Sequence, residues 1–305
     1  MINGAMTAII TPMLENGAVD YKSLEFLIDY QIKNGITGLV VNGTTSESPT
    51  VEPEELDQIL KIVRARVDAS GRDVKIIVGT GTNSTKKTLA ATQRAKEFGA
   101  DMAMVVAPYY NKPNTSGLIA HFNEIATNGG LPVIVYDIVG RTGRQISISE
   151  FSAIAANKNI IGVKAASGSM DQIKELMTTV VEPIRKSGRD FYVWSGDDGL
   201  TVPIREIGGN GVISVASNLI PKNIQLVAAD DINGARELAG TLASLTGGDG
   251  IFIETNPVPV KYLMTKAGII QSAAVRLPLG PLSDANVSKL DIQFDKFKSF
   301  IVDNQ

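Results

Sequence analysis

Short apolar runs recur along the chain, and longer stretches with helical spacing of apolar residues separate them. Apolar runs of about four to eight residues that are rich in Ile and Val are typical of strands buried on both faces. The predicted strands lie near residues 5–12, 37–42, 75–80, 102–107, 132–137, 160–165, 191–195 and 211–216. This alternation of strands and helices predicts a parallel sheet with both faces covered.

Capping signals mark the starts of several of the intervening helices. The predicted signals are N-caps at Asp20 and Ser84, a first-turn proline at Pro53, and capping boxes at Ser147–Glu150 and Ser169–Gln172. They place polar side chains directly after apolar runs, which supports the strand–helix alternation.

The number of strand–helix units and the lack of a long insertion favour closure of the sheet into a (β/α)8 TIM barrel. An open doubly wound sheet is the alternative. Its dinucleotide-binding fingerprint is matched only in part by Gly79–Ser84, which lacks the third glycine. After about residue 222 the strand pattern stops and helical spacing continues. We therefore predict a catalytic barrel over residues 1–222, with a C-terminal helical region over residues 223–305 packed on it.

Composition and charge exclude several classes of protein. A net charge of −3 gives no electrostatic basis for nucleic-acid binding. No apolar run approaches the roughly 18 residues of a membrane span, and the first residues lack the basic region of a signal peptide. The default expectation is a cytoplasmic protein that binds neither nucleic acid nor membrane.

The absence of cysteine removes thiolate nucleophiles and cysteine-based zinc sites from consideration. The single histidine, His121, lies in a stretch with helical spacing and is expected to be a surface or packing residue. A catalytic base is therefore expected to be a carboxylate, a tyrosine or a lysine. Lysine is the leading candidate for a covalent nucleophile.

Lys164 stands near the end of the apolar run 159–165, just before small and polar residues. A lysine at the mouth of a sheet is desolvated, which disfavours its charged form and lowers its pKa. A lysine amine that loses its proton near neutral pH is a nucleophile for carbonyl compounds. The alternative for Lys164 alone is a strand-end lysine whose amine extends into water.

In a barrel of this kind, the chemistry lies at the carboxyl ends of the strands. The other predicted strand ends carry Asn42–Ser48, Pro108–Pro113, Tyr136–Gly143, Ser195–Asp198 and the stretch 211–218. Thr44 and Thr45 offer hydroxyls and amides for a carboxylate, although an ordinary N-cap loop explains them equally well. Tyr136 can act as a general acid, and Arg141 can fork onto a carboxylate. Asp197 and Asp198 fit a helix N-cap pair better than a magnesium site.

These stretches, in this order, resemble the dihydrodipicolinate synthase and N-acetylneuraminate lyase superfamily of class I aldolases. The resemblance runs along essentially the whole chain and includes Asn256–Lys261 and Arg276–Leu279. The paired Thr44–Thr45, the stretch Tyr109–Pro113, and Arg141 after Gly140 favour the dihydrodipicolinate synthase branch. These motifs are specific jointly rather than singly.

The resemblance implies a pyruvate Schiff base on Lys164, with no metal or organic cofactor. The resulting enamine would add to L-aspartate 4-semialdehyde and give 4-hydroxy-tetrahydrodipicolinate, in lysine and diaminopimelate biosynthesis. The implied residue roles are proton transfer by Tyr136, Thr45 and Tyr110, pyruvate carboxylate binding by Thr44 and Thr45, aldehyde carboxylate binding by Arg141, and pocket lining by Gly196 and Ile213. Tyr110 would reach into the site of a neighbouring subunit in a homodimer or homotetramer.

The chain departs from the pattern of these relatives at four positions near the implied site. Asp137 stands where asparagine is usual, Val139 where proline is usual, Ser46 where glycine is usual, and Ala165 where the synthases commonly have an acidic residue. These departures leave the Schiff-base chemistry in place and bear on which aldehyde is the acceptor.

Two other functions stay open from the sequence. One is a pyruvate-dependent sugar-acid aldolase of the 2-keto-3-deoxygluconate or N-acetylneuraminate lyase type, which Arg141 disfavours. The other is a non-catalytic paralogue that only binds a keto acid, which the joint presence of Lys164, Tyr136 and Thr45 disfavours.

The resemblance also implies a regulatory lysine site, where Pro53, Leu56 and Lys87 offer no side-chain acceptor for an amine. We therefore expect insensitivity to millimolar lysine.

Overall fold

Eight parallel strands form a closed barrel in the computed structural model, which describes residues 2–304. The strands are β1 (Gly4–Ala8), β2 (Gly38–Val41), β3 (Lys75–Gly79), β4 (Met102–Val106), β5 (Val133–Asp137), β6 (Ile160–Ala165), β7 (Tyr192–Ser195) and β8 (Gly211–Ser214). They follow one another in sequence order around the sheet. The (β/α)8 TIM barrel predicted from the alternation of apolar runs is confirmed.

Helices fill the connections between the strands. In the first part of the chain they are α1 (Tyr21–Lys33), α2 (Pro53–Ser70), α3 (Thr85–Glu97), α4 (Thr115–Asn128), α5 (Val139–Thr142), α6 (Ile148–Ala155), α7 (Met170–Leu176), α8 (Glu182–Lys186) and α9 (Thr201–Glu206). A π-helical segment, Met177–Val181, joins α7 to α8. The helices after β8 are α10 (Pro221–Ala229), α11 (Ile232–Thr246), α12 (Val258–Lys266) and α13 (Asp284–Val302).

The described residues fall into two compact units. Unit 1 consists of the residues up to Asn3 and of Lys75–Val212, and unit 2 consists of Gly4–Val74 and the residues from Ile213 onward. The helical character expected after residue 222 is confirmed. The domain boundary at residue 222 stays a prediction.

The first strand is shorter than predicted because side chains take over its backbone hydrogen bonds. The Ile10 amide donates to Asn218 Oδ1 at 3.0 Å, and Ser46 Oγ donates to the Ile9 carbonyl at 2.6 Å. The Ile9 amide still bonds to the Val40 carbonyl at 3.1 Å, and the two side-chain bonds satisfy the buried backbone groups that follow it. Ser46 thus ties the loop after β2 to the end of β1.

Most of the predicted helix starts are confirmed by side-chain hydrogen bonds. Asp20 accepts from the Ser23 amide at 3.0 Å, and Ser147 and Glu150 form a reciprocal capping box. The capping box predicted at Ser169 is wrong in its second half. Ser169 does cap α7, but Gln172 Nε2 donates instead to the Ile146 carbonyl at 2.9 Å. This tertiary bond replaces the local one.

The core of unit 1 is densely filled around β6 and β7. Trp194 is fully buried and stacks on Tyr192 with ring centroids 5.3 Å apart, and its Nε1 donates to the Ile2 carbonyl at 3.2 Å. Gly162 gives the room for this ring, since a Cβ there would lie 2.4 Å from the Tyr192 carbonyl oxygen and 3.1 Å from the indole. Filling of this kind fixes the strands that carry the candidate site.

In unit 2, α13 buries one apolar stripe. Leu290, Phe294, Phe297 and Ile301 are all buried, and their spacing of three and four residues places them on one helix face. Just after this helix, Asn304 anchors the chain to the start of α10, because its Oδ1 accepts from the Lys222 amide at 2.7 Å.

Candidate active site

Lys164 and Tyr136 lie side by side near the carboxyl ends of neighbouring strands. Tyr136 on β5 is the register partner of Lys164 on β6, so their side chains leave the sheet on the same side. Both are buried, with 6% of Lys164 and 5% of Tyr136 exposed. The Lys164 Nζ lies 4.3 Å from the centroid of the Tyr136 ring. An amine and a phenol therefore share one small space.

The surroundings of Lys164 favour its neutral form. Burial lowers the pKa of the Lys164 amine to about 8, with Asp198 opposing this shift and Arg141 adding to it. No carboxylate lies within ion-pairing distance of Nζ among residues 2–304. The neutral fraction of the amine near neutral pH is thus far larger than that of an ordinary lysine, and the neutral form is the one that nucleophilic attack requires.

Gly196 leaves the space that the Lys164 side chain occupies. Its amide donates to the Ala165 carbonyl at 2.7 Å, which continues the pairing of β6 and β7 by one residue. A Cβ at this position would lie 2.7 Å from Ala166 Cβ and 3.2 Å from Lys164 Cε. Any larger residue would therefore displace the lysine or the strand end beside it.

Asp197 and Asp198 start a short helical turn after β7. Asp197 is the N-cap and accepts from the Gly199 amide at 2.9 Å, as predicted. Asp198 is buried, and its charge raises the pKa of Lys164. This electrostatic influence was not predicted from the sequence, where Asp198 was assigned to capping alone.

Arg141 belongs to the segment 138–147, which we call the arginine loop. The loop contains α5 and turns at Gly143, whose φ of 63° lies in the left-handed region that favours glycine. Thr142 Oγ1 donates to the Ile138 carbonyl at 3.1 Å and braces this turn. The Arg141 side chain is exposed, and its charge is close enough to lower the pKa of Lys164.

Tyr110 belongs to the segment 107–114 after β4, which we call the tyrosine loop. Tyr110 and Lys112 have φ values of 70° and 41°, a backbone conformation that residues with side chains rarely adopt. The Tyr110 side chain is 90% exposed and that of Tyr109 is 38% exposed. The structure thus places Tyr110 on a strained turn and gives it little cover within the described chain.

Asp137, one of the four departures named from the sequence, is a buried carboxylate next to Tyr136. Burial raises the pKa of the Asp137 carboxyl to about 6, and hydrogen bonds from Ile146 and Gln172 oppose the shift. The bond from Gln172 Nε2 to Oδ2 is long, at 3.4 Å, and Oδ1 has no partner among the described residues. The site therefore accommodates this substitution with an incompletely satisfied acid.

The predicted site residues Thr44, Thr45 and Ile213 belong to unit 2. The turn after β2 is held by backbone bonds from the Ser46 amide to the Gly43 carbonyl and from the Glu47 amide to the Thr44 carbonyl, at 3.2 and 3.0 Å. Thr45 is buried, and its Oγ1 accepts from Asn256 Nδ2 at 3.0 Å. This bond directs the Thr45 hydroxyl proton away from Asn256.

A buried ion pair anchors the same turn. Glu47, with a φ of 58°, lies 2.5 Å from Lys261 Nζ, and both side chains are almost wholly buried. Lys261 also donates to the Ala274 carbonyl at 2.8 Å, and the second Glu47 oxygen accepts from the Arg276 amide at 2.9 Å. The two motifs that the sequence singled out near residues 256–261 and 276–279 thus support the threonine turn. No pattern in the sequence indicates that Glu47 is their partner.

The remaining candidates do not add a metal site. The part of the chain that the structure describes contains no group of three or more metal-ligating side chains. His121 is buried against Phe122 and accepts from or donates to Thr85 Oγ1 at 2.9 Å, and burial lowers its pKa to about 4. The packing role predicted for His121 agrees with this position. Over residues 2–304 no helix is long and apolar enough to cross a membrane.

Open grooves also occur away from these strand ends. Two surface grooves of about 680 and 970 Å³ are lined by residues of α6, the α7–α8 segment and their flanks. None of the predicted site residues lines either groove. The candidate site is therefore identified by the chemistry of the strand ends.

The fold and the site define the class of protein. A (β/α)8 barrel that holds a buried, unpaired lysine amine beside a tyrosine at its strand ends is typical of barrel enzymes with an active site at this face. Comparison with known proteins gives the family. The model of the dihydrodipicolinate synthetase family matches residues 1–295, and the chain belongs to this family.

Individual relatives match over nearly their whole length. A 4-hydroxy-tetrahydrodipicolinate synthase of Geotalea uraniireducens is 41% identical over 292 residues, covering 95% of this chain and 97% of the relative. The solved structure of the same enzyme from Methylacidiphilum fumariolicum SolV is similar with a TM-score of 0.91 and 38% identity, covering 100% and 98% of the two chains. A solved monomeric variant of dihydrodipicolinate synthase has a TM-score of 0.90 and 38% identity, covering 97% and 96%. This protein is thus an enzyme of the aldolase type of lyase.

Proposed function

We propose that this enzyme condenses pyruvate with L-aspartate 4-semialdehyde through a Schiff base on Lys164 and forms 4-hydroxy-tetrahydrodipicolinate. The observation that carries the proposal is the buried Lys164 amine, whose pKa is about 8 and whose Nζ lies 4.3 Å from the Tyr136 ring centroid. Family membership supports the choice of reaction. The product belongs to lysine and diaminopimelate biosynthesis.

The chemistry follows from a neutral lysine and a nearby phenol. Lys164 attacks the ketone carbon of pyruvate, water leaves, and the protonated imine withdraws electrons from the adjacent methyl group. Loss of a methyl proton gives an enamine, whose carbon bonds to the aldehyde carbon of the second substrate. The amino group of that substrate then displaces Lys164 from the imine and closes the ring.

Tyr136 is proposed to move protons at the imine and at the new hydroxyl. Its position against Lys164 supports this role, because a general acid must lie within reach of the atom it protonates. By resemblance to relatives, Thr45 and Tyr110 take part in the same proton transfer. The hydrogen bond from Asn256 to Thr45 Oγ1 supports a donor role for the Thr45 hydroxyl.

Substrate binding is assigned to five residues, of which Thr45 is also placed in proton transfer. Thr44 and Thr45 are proposed to bind the pyruvate carboxylate, and Arg141 is proposed to bind the carboxylate of the aldehyde substrate. Gly196 and the Ile213 backbone are proposed to line the pocket. The reaction needs no metal or organic cofactor in this proposal, because the protonated imine is the electron sink.

Tyr110 is proposed to act in the site of a neighbouring subunit of a homodimer or homotetramer. Its 90% exposure within one chain supports this assignment, since a side chain used by the same subunit would be covered. Measurement of the molecular mass in solution tests the oligomer.

We also propose a cytoplasmic location, which cell fractionation tests. We further propose that the enzyme is insensitive to lysine, which a lysine titration of the initial rate at subsaturating pyruvate tests.

Identification of the product tests the proposed reaction. Purified enzyme is incubated with pyruvate and, in turn, with aspartate semialdehyde and with sugar-derived aldehydes. The proposal expects turnover with aspartate semialdehyde and a heterocyclic product. Turnover restricted to sugar-derived aldehydes would instead identify a sugar-acid aldolase, and no turnover with any of them would identify a keto-acid-binding protein.

A further inference from the structure

The tyrosine loop and the arginine loop contact each other through two neighbouring residues of each. Lys112 lies against Gly143, where a Cβ would be 2.9 Å from Lys112 Cε. Next to this contact, Arg144 Nε donates to the Pro113 carbonyl at 3.0 Å. The two loops that carry Tyr110 and Arg141 are thus joined directly within unit 1.

Arg144 uses most of its guanidinium group in this junction. Besides the bond to Pro113, its Nη1 donates to Glu150 Oε2 at 3.1 Å and to the Gln145 carbonyl, and its Nη2 donates to Glu150 Oε1. The planar fork of arginine can serve a carboxylate and a carbonyl at once, whereas a lysine ammonium is a point donor on a flexible stem. The side chain is only 19% exposed.

Glu150 is held in place from several sides. It is the N3 residue of the capping box of α6 and accepts from the Ser147 amide at 2.9 Å. Thr115, the first residue of α4 and the neighbour of the tyrosine loop, also bonds to it. Glu150 is therefore a fixed point to which both loops are attached, directly or through Arg144.

The backbone of the tyrosine loop is strained, so contacts such as this junction are needed to hold its conformation. Tyr110 and Lys112 hold positive φ values that cost free energy and persist only where the surroundings hold them. Two hydrogen bonds flank this turn: Asn111 Nδ2 donates to the Asn83 carbonyl at 2.8 Å, and Arg144 donates to Pro113. Because Tyr110 itself is almost fully exposed, its position depends on these backbone anchors.

We propose that Arg144 is a positioning residue, which together with Glu150 clamps the tyrosine loop to the arginine loop and so sets the placement of Tyr110 relative to Arg141. The inference rests on the proposed function for its kinetic consequences. The clamp acts mainly on the step that uses the aldehyde substrate, because Arg141 is proposed to bind that substrate, whereas imine formation at Lys164 depends more on Tyr136 than on Tyr110.

The variant Arg144→Lys tests the clamp, because it keeps a positive charge beside Glu150 and cannot also serve Pro113. Misplacement of a substrate loop by about 1 Å can cost up to roughly a hundredfold in rate. We expect kcat/KM for aspartate semialdehyde to fall by about ten- to a hundredfold. Borohydride trapping of the pyruvate imine should stay within about twofold of the parent rate, which also shows that the proposed chemistry is intact.

Arg185→Lys is the matched control. Arg185 also forks onto backbone carbonyls, those of Phe191 and Gly208, but it contacts neither loop. We expect this variant to retain the parent kcat/KM for the aldehyde. An equal loss in both lysine variants would overturn the proposal, because it would show a general structural effect.

Native-state proteolysis gives a readout that does not depend on activity. Chymotrypsin cleaves after Tyr109 or Tyr110 when the loop opens locally, so Arg144→Lys should accelerate this cleavage several-fold and Arg185→Lys should not. Unchanged cleavage in Arg144→Lys would overturn the clamp even if activity fell. In a double variant with Tyr110→Phe, the two kinetic losses should be less than multiplicative, and fully multiplicative losses would contradict action through the tyrosine loop.

Discussion

Two buried lysines, one in each compact unit, have opposite surroundings. Lys261 Nζ lies 2.5 Å from Glu47 and 2.8 Å from the Ala274 carbonyl, whereas Lys164 lies over the Tyr136 ring without an ion-pairing carboxylate in the described chain. Burial lowers the pKa of both amines, and at Lys261 the Glu47 carboxylate opposes this effect. A fixed counter-charge makes a buried lysine a structural group. Its absence leaves an amine that can be neutral and react.

The largest effect expected from this contrast is on stability. Lys261→Met removes one partner of a buried pair and leaves Glu47 uncompensated, which should lower the free energy of unfolding by about 3–5 kcal/mol. Lys164→Met removes an unpaired buried amine and should change it by less than about 1 kcal/mol, or raise it. Urea unfolding measures both values. Equal losses would mean that the two lysines do the same structural work.

The second effect concerns binding of the aldehyde substrate, which accepts the enamine formed on Lys164. Arg141→Ala should raise the KM for aspartate semialdehyde about ten- to a hundredfold, since a charge-assisted fork contributes about 1.5–3 kcal/mol. The KM for pyruvate should change by less than about twofold. Steady-state kinetics with each substrate varied in turn measures this, with the exposed Arg94→Ala as a control. Similar changes for both substrates would assign Arg141 to loop structure instead.

Asp137 extends the comparison, because it is a buried ionisable group that forms no ion pair among residues 2–304 and has no proposed role in the reaction. Its folded pKa of about 6 lies above the usual value of 3.8, so the stability that the neutral acid provides is present below about pH 4 and is lost as the pH rises through 6. Asp137→Asn should therefore stabilise the protein by about 1–3 kcal/mol above pH 6 and by nothing near pH 4.

Thermal unfolding across this pH range measures the difference between the parent enzyme and Asp137→Asn. Because Gln172 can donate to an asparagine oxygen as well as to a carboxylate, the variant retains its one side-chain contact. A stability difference that does not change between pH 4 and pH 7 would contradict the assignment of a raised pKa to Asp137.

The smallest expected effect is a shift of the pH profile. Only the neutral amine attacks pyruvate, so kcat/KM for pyruvate should rise as the pH increases through about 8. Asp198 raises the pKa of Lys164 and Arg141 lowers it, so Asp198→Asn should move this midpoint down and Arg141→Ala should move it up. Asp197→Asn, at the exposed neighbouring cap, is the matched control. Shifts in the same direction for the two variants would contradict this electrostatic account.

The strand pattern and the buried position of Lys164 were predictable from sequence. All eight predicted strands are present, because each is a local apolar run. The burial of Lys164 and its lowered pKa follow from a lysine at the end of such a run. These features depend on residues that are close in the chain.

The supporting contacts were not predictable, because their partners are far apart in the sequence. Glu47 and Lys261 are 214 residues apart, and Arg144 reaches back 31 residues to Pro113. A lone lysine within the apolar stretch 258–264 was a usable signal for a buried pair, but it did not identify Glu47. At Gln172, a tertiary bond to Ile146 replaced the local capping bond that the sequence favoured. The residues next to Arg144 in the sequence carry no signal for its bond to Pro113.

Trapping of the pyruvate adduct tests the central claim most directly, because it compares the two buried lysines in one experiment. The enzyme is incubated with pyruvate and borohydride, digested, and its peptides are analysed by mass spectrometry. We predict one reduced adduct on the peptide containing Lys164, none on that containing Lys261, and no adduct in Lys164→Ala. An adduct on Lys261, or undiminished labelling of Lys164→Ala, would contradict the account.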